Sequence, residues 1–345
     1  MNALVDLASD TKTRPTAAMR RAMAEAEVGD EQAFEDPTIN ALCAKVAELM
    51  GHEAAVFLPS GTMANQIAFR LHTRPGDEIL LEATTHPIHY ESGGPAANAY
   101  CMFRGLPGVR GKFTAAQVEE AIRGSYRHNP RTSLVCMENS TNMGGGAAWT
   151  VDEVRAVAEV ARAHGVKVHM DGARVANAAV AQGVPMAAYG KLCDTIWLDF
   201  SKGLGAPVGA CLAGSKEAIH EAWRIKQQLG GALRQGGIVA AGALYALDHH
   251  YDRLAEDHAR AQRLAAAIDE IPGLALVNGP VETNLVFYST EPSGREAATV
   301  SKELLALGVR SNPSNRWTLR ACTHLDVDDA GIDRAIQALR RVMGR

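Results

Sequence analysis

Three short segments of the chain carry residue types that do chemistry when they are brought together. The first is Leu58-Pro59-Ser60-Gly61-Thr62-Met63-Ala64-Asn65, where an apolar run breaks at proline and reopens as a helix. Backbone N–H groups and two hydroxyls at a helix N-terminus form a cup for a phosphate, although the same residues also serve as an ordinary cap. Neither G-x-x-x-x-G-K-[ST] nor G-x-G-x-x-G is present there, which argues against nucleoside triphosphates and dinucleotides. The second segment is Val168-His169-Met170-Asp171-Gly172-Ala173-Arg174, an apolar run ending in a carboxylate. At a strand end, Asp171 can keep a heterocyclic nitrogen protonated through a charge-assisted hydrogen bond. It can equally cap the next helix, with Arg174 as its salt-bridge partner. The third is Asp199-Phe200-Ser201-Lys202-Gly203-Leu204-Gly205, which puts Lys202 in a Ser/Gly loop just past a buried strand. Alone it reads as a surface lysine, because lysine is rarely buried unless paired or functional.

The elements that must position these residues follow from pattern and punctuation. Pro15 and Thr16 open an Ala-rich helix, and Asp36-Pro37 open a second one with an N-cap acid and proline at the first helical position. Ile39, Leu42, Val46 and Leu49 keep helical spacing, and Gly51 supplies the stop. Short apolar runs then alternate with helical patterns: 54–58, a helix from about 62, 78–81, 134–137, a helix from 150 with a Thr150/Glu153 capping box, 166–170 and 195–200. That alternation predicts an α/β fold with a mostly parallel sheet. An Ala-rich helical pattern runs from about 238 to 271, followed by two or three strands and two helices. A large domain over 1–245, with an N-terminal arm over 1–15, and a smaller α+β domain over 246–345 are expected. Ligands of such folds sit at the carboxyl ends of the parallel strands and near the domain interface.

A phosphate cup, a strand-end Asp and a strand-end Lys on one sheet are the groups that pyridoxal phosphate needs. Lys202 would form the Schiff base, Asp171 would keep the ring nitrogen charged, and Ser60, Gly61 and Thr62 would hold the phosphate. Composition agrees with a small-molecule enzyme. The chain has 345 residues, 47% of them hydrophobic, and a formal charge of -4, so no electrostatic footprint for nucleic acid or an acidic membrane is expected. Six scattered cysteines with no C-x-x-C pair exclude a zinc site by spacing and read as buried thiols, so no metal is expected. No basic segment precedes an apolar stretch near the start, and a cytoplasmic protein is expected.

At this point the motifs become recognisable. SDTKTRPTAAMR, VGDEQAFEDPTINAL, FLPSGTMANQ, HPIHYESGG, HMDGARVANAAV, SKGLGAPVGACLAG, GGALRQGG and RACTHLDV occur in this order. With them the chain resembles the low-specificity L-threonine aldolases, aspartate-aminotransferase-like fold type I enzymes, over nearly its whole length. The resemblance implies a pyridoxal-phosphate lyase that cleaves an L-β-hydroxy-α-amino acid to glycine and an aldehyde. It also implies a homotetramer, a pair of dimers with active sites at the dimer interfaces. Carried over by position, it makes His86 the histidine stacked on the ring, with Glu91 five residues on and Tyr90 beside that acid. Arg320 becomes the substrate-carboxylate arginine, assisted by Ser9 and Arg174, the latter also near the cofactor, and Arg234 reaches the phosphate from the neighbouring subunit.

Two departures bear on substrate. Relatives commonly read Glu-Asn-Thr-His-Asn where this chain reads Glu138-Asn139-Ser140-Thr141-Asn142, so Thr141 stands where a histidine contacts the substrate side chain. His89 is a candidate to compensate from another loop, and Gln227 stands where some relatives carry a lysine near the phosphate arginine. The competing readings on the same fold are β-elimination and transamination, which break Cα–H instead. A non-catalytic scaffold is disfavoured by the presence of Lys202, Asp171 and Arg320 together.

Overall fold

Seven strands form the central sheet of the computed structural model, which describes residues 4–344. In spatial order they are Ala54–Leu58, Ala210–Gly214, Thr195–Asp199, Lys167–Asp171, Thr132–Glu138, Glu78–Glu82 and Met102–Leu106. Neighbours are parallel except where Ala210–Gly214 runs against Ala54–Leu58 and Thr195–Asp199. The sheet is buried on both faces, so alternate residues of one strand feed different cores. Val135, Met137, Val168 and Met170 join helices Pro37–Met50, Val151–Ala163 and Gly237–His249, whereas Trp197 and Leu212 join helices Gly61–His72 and Lys216–Gln228. Met102–Leu106 and Ala210–Gly214 are strands that apolar runs do not signal. The first is a half-exposed edge, and the second is built largely of small residues with weak strand preference.

Local chemistry sets the helix ends where the sequence predicts them. Asp36 accepts the Ile39 N–H, Pro37 occupies the first turn, and Gly51 closes the helix at φ 68°. Thr150 and Glu153 complete both halves of their capping box. The single Ala-rich helix expected from about 238 to 271 is instead two, Gly237–His249 and Leu254–Asp269. Between them the His250 ring nitrogen Nδ1 donates to the Leu204 carbonyl at 2.7 Å, and apolar residues continuing across the break conceal it from periodicity.

The second helix of that pair packs on a separate antiparallel sheet, ordered Asn312–Pro313, Thr318–Cys322, Leu285–Ser289, Ala275–Val277. Helices Leu254–Asp269, Ala297–Ala306 and Asp329–Val342 cover it around a core that includes Val286, Tyr288, Leu319 and Ile332. The N-terminal segment bonds to this unit: Val5–Asp6 pairs in parallel with Val309–Arg310, and Cys322 N–H donates to the Leu7 carbonyl at 2.9 Å. From there the segment runs back to the large sheet, where the Thr13 hydroxyl donates to the Lys202 carbonyl at 2.8 Å.

Asp257 is buried in helix Leu254–Asp269, where neither carboxylate oxygen has a hydrogen-bond donor and Arg253 and Arg260 stand 3.6 and 3.8 Å away. Burial pushes its pKa up to about 7. A carboxyl whose folded value is raised holds its proton while the unfolded chain releases it, so it costs stability as pH climbs from about 4 to about 7. Asp257→Asn removes that titration. Relative to the parent, the variant's melting temperature is expected to be higher at pH 8 than at pH 5, and an equal offset at both pH values would contradict this.

Candidate active site

A cavity of about 630 Å³ opens at the carboxyl ends of the parallel strands, walled by the N-terminal segment and by the C-terminal sheet. Asp171 ends strand Lys167–Asp171 at its floor and is buried. Its Oδ2 accepts Asn65 Nδ2 at 2.8 Å and its Oδ1 accepts the Ala173 N–H at 3.1 Å. Burial pushes the carboxyl up, with the Glu91 charge adding to it, while Asn65, His86 and Lys202 pull it down. Glu138, one strand over, is likewise raised by burial and by the Asp171 charge. Its carboxylate accepts the backbone N–H groups of His86, at 2.8 Å, and Asn142.

Every other acid around the cavity has a cation. Lys202 Nζ donates to Asp199 Oδ2 at 2.7 Å. Arg174 forks onto Asp10 through Nε at 2.6 Å and Nη2 at 2.8 Å; burial opposes the Asp10 charge, but the guanidinium holds the carboxyl well below the usual range. His86 Nδ1 lies 3.1 Å from Glu91 Oε1. Burial works against a charged His86, yet the Glu91 hydrogen bond and the charges of Asp171, Glu91 and Glu138 outweigh it, so its pKa is raised. Among the described residues, Asp171 and Glu138 thus have hydrogen-bond donors but no cation in contact. That donor set fits pyridoxal phosphate, whose protonated ring nitrogen would supply the cation that Asp171 lacks.

The cup is equally specific in its construction. Ser60 caps helix Gly61–His72 by accepting the Met63 N–H at 3.2 Å. A Cβ added at Gly61 would lie 2.2 Å from Trp197 Cη2, so only glycine lets the helix start against that ring. Trp197 Nε1 in turn donates to Asn65 Oδ1 at 2.8 Å. One helical turn past the cup, Asn65 therefore joins Trp197, Asp171 and, through Nδ2 at 2.7 Å, Glu91.

Ser9, Ser60, Gly61, Thr62, His86, Tyr90, Asp171, Arg174, Lys202 and Arg320 all line this cavity. Arg320 is held by Asn142 Oδ1 and the Ala8 carbonyl, each at 3.1 Å, and Tyr90 stands exposed at the mouth, its hydroxyl 3.6 Å from Met143 Sδ. Three expected site residues stand elsewhere. The Thr141 hydroxyl turns away and donates to the Arg110 carbonyl at 3.1 Å, leaving Asn142 on the wall. His89 is exposed, with Nε2 on the Ala83 carbonyl at 2.8 Å, so it does not enter the pocket to compensate. Arg234 pairs with Asp30 at 2.8 Å, outside the cavity of its own chain. Arg174 is the salt-bridge partner of Asp10 and not of Asp171.

Asn65, Glu138, Asp199 and Asp10 complete the site beyond the residues that the sequence singles out. The signal for Asn65 was available: it and Gln66 are polar residues inside the apolar face Ala64, Ile67, Ala68, where a buried amide needs a reason. Asn65→Ala leaves two buried carboxylates and an indole N–H short of a partner. A loss of about 2–4 kcal/mol in denaturant unfolding is expected. A change below about 0.5 kcal/mol, the range of neutral surface substitutions, would show that the amide does not hold the site together.

The sequence matches the beta-eliminating lyase family over residues 6–291. Low-specificity L-threonine aldolase 1 of Arabidopsis thaliana is 37% identical over 345 residues, covering 98% of this chain and 96% of that protein. The low specificity L-threonine aldolase of Escherichia coli K12 is 36% identical over 326 residues, covering 94% and 95%. The solved Leishmania major threonine aldolase superposes with a TM-score of 0.84 over 98% of this chain and 99% of that one, at 20% identity. That last likeness concerns the fold, which is the aspartate-aminotransferase-like fold type I. With a family match over most of its length and aldolase relatives over nearly all of it, the chain belongs to the beta-eliminating lyase family, in its low-specificity L-threonine aldolase group.

Proposed function

We propose that this protein is a pyridoxal-phosphate-dependent lyase that cleaves L-threonine, L-allo-threonine or a related L-β-hydroxy-α-amino acid to glycine and an aldehyde. The observation that carries the reading is the meeting of Lys202, Asp171, His86 and Arg320 around one cavity above a helix-capped cup. Bound there, pyridoxal phosphate would supply an electron sink for the substrate bond that breaks. Ser60, Gly61 and Thr62 would hold the phosphate, Asp171 would keep the ring nitrogen protonated, and Lys202, now paired with Asp199, would provide the amine that carries the cofactor.

Arg320, anchored at 3.1 Å on Asn142, takes the substrate carboxylate as a planar fork, with Ser9 and the remaining guanidinium edge of Arg174 beside it. Fixing the carboxylate fixes which Cα bond is presented for cleavage, and an aldolase presents Cα–Cβ. His86, or a water it orients, removes the β-hydroxyl proton. Its raised pKa makes it a stronger base, available above that value. Tyr90 at the mouth borders the side-chain space, and Thr141 and His89 have no part in this reading.

The same reading extends to assembly. Arg234 is largely exposed on its own chain, which suits a reach toward the phosphate of a neighbouring subunit in a dimer, and two such dimers make the proposed tetramer. The separate cores of the two sheets support a large and a smaller unit, with the division later than residue 245, because Ala246, Leu247 and Leu254 still pack in the larger core. Six free cysteines suit a reducing cytoplasm. Among the described residues no helix is long and apolar enough to cross a membrane.

The test is a product balance. Incubated with pyridoxal phosphate and L-threonine, L-allo-threonine, L-serine or L-phenylserine, the protein is expected to give aldehyde and glycine in equal amounts. Lys202→Ala is expected to reduce both to background. Oxo acid in place of aldehyde would favour β-elimination or transamination, and absence of all products would overturn the lyase reading.

A further inference from the structure

A second cavity, of about 810 Å³, lies at the opposite ends of the strands that carry Asp171 and Glu138. It opens where strands Thr132–Glu138 and Lys167–Asp171 begin, and is closed on one side by the loop over 123–131. Arg74, Arg123, Arg127, Arg131 and Lys167 line it, and no aspartate or glutamate does. In a chain of net charge -4 this concentration of one sign is a local feature. Three of the cations are held from behind: Arg123 by Glu78 at 3.0 Å, Lys167 by Asp194 at 2.7 Å, and Arg131 by Asp77. Those acids orient the side chains but stay out of the cavity. Among the described residues the side chains of Arg74 and Arg127 have no acidic partner, although the Arg74 backbone N–H donates to Asp77 Oδ2 at 2.8 Å; the Arg127 Nε is directed at His128 Nε2 at 3.3 Å, with its guanidinium 5.9 Å from the Tyr126 ring.

Of these five cations three are balanced by the acids behind them, and the uncompensated charge of Arg74 and Arg127 is what the concave walls focus into the cavity. These two have donors to spare, in the planar fork geometry that matches phosphate oxygens. The volume falls within the range of ordinary ligand sites. We propose that this cavity binds a small, multiply charged phosphate anion, with Arg74 and Arg127 as the groups that close on it. The site is separate from the phosphate cup at Ser60, Gly61 and Thr62, and its occupation does not depend on which reaction the active site performs.

The test uses the holoenzyme, so that pyridoxal phosphate already fills the cup, and calorimetric titration at low salt with pyrophosphate, ADP and adenosine. Pyrophosphate and ADP are expected to bind once per chain, weakening as salt is raised, and adenosine is expected not to bind. In the double variant Arg74→Ala, Arg127→Ala the dissociation constant is expected to rise at least tenfold, with the cofactor absorbance and melting temperature unchanged. ADP binding more than tenfold tighter than pyrophosphate would assign a nucleotide, with its ring against exposed Tyr126, whereas equal binding would assign the phosphates alone. The proposal is overturned if pyrophosphate and ADP give no binding at millimolar concentration, if the double variant binds as tightly as the parent, or if a short single-stranded RNA binds more tightly than either.

Discussion

Asp171 ends its strand out of water, with an amide and one backbone N–H as its hydrogen-bond donors and no cation in contact. A carboxylate so placed is expensive to keep ionised, and much of the surrounding structure answers that cost. Asn65 must present its amide from the first turns of helix Gly61–His72, so the helix has to start against Trp197, and Gly61 has to lack a side chain. The same amide fixes Glu91, which fixes His86. Cup, histidine and acid are therefore consequences of one buried carboxylate and one asparagine.

The second unit of the chain reaches this centre through the N-terminal segment. Val5 and Asp6 pair with Val309 and Arg310, and four residues later Asp10 grips Arg174 on the large sheet. Arg320 closes the circuit from the C-terminal sheet: it bonds to the Ala8 carbonyl and to Asn142, whose own N–H is held by Glu138. A shift of either unit would move Arg320 against Asp171, so the spacing between these two side chains is set by short-range hydrogen bonds.

Strand ends and helix caps were legible because each is set by a few adjacent residues. The run up to Asp171, the Asp36-Pro37 start and the Thr150/Glu153 box all specify their geometry within one turn of chain. Strand Ala210–Gly214 was not legible, since Ala, Cys and Gly carry little strand preference and its place is dictated by Ala54–Leu58 and Thr195–Asp199 on either side. The side of the wall on which a loop residue falls was also hidden. Thr141 and Asn142 are adjacent, yet one faces the Arg110 carbonyl and the other the cavity. Pairings across more than a hundred residues, such as Asp10 with Arg174, leave no local trace at all.

The account turns on a single amine. Lys202 Nζ, 2.7 Å from Asp199 and facing the same cavity as Asp171, is the group from which every assigned role is measured. A second lysine, the buried Lys226, is engaged with Glu31 outside that cavity and offers the natural comparison. The most direct measurement is borohydride reduction of the protein loaded with pyridoxal phosphate, followed by protease digestion and mass mapping of the modified peptide. The cofactor mass is predicted on Lys202, in about one copy per chain. Its appearance on Lys226 or another lysine, or a protein left unmodified, would contradict the assignment of this cavity as the active site.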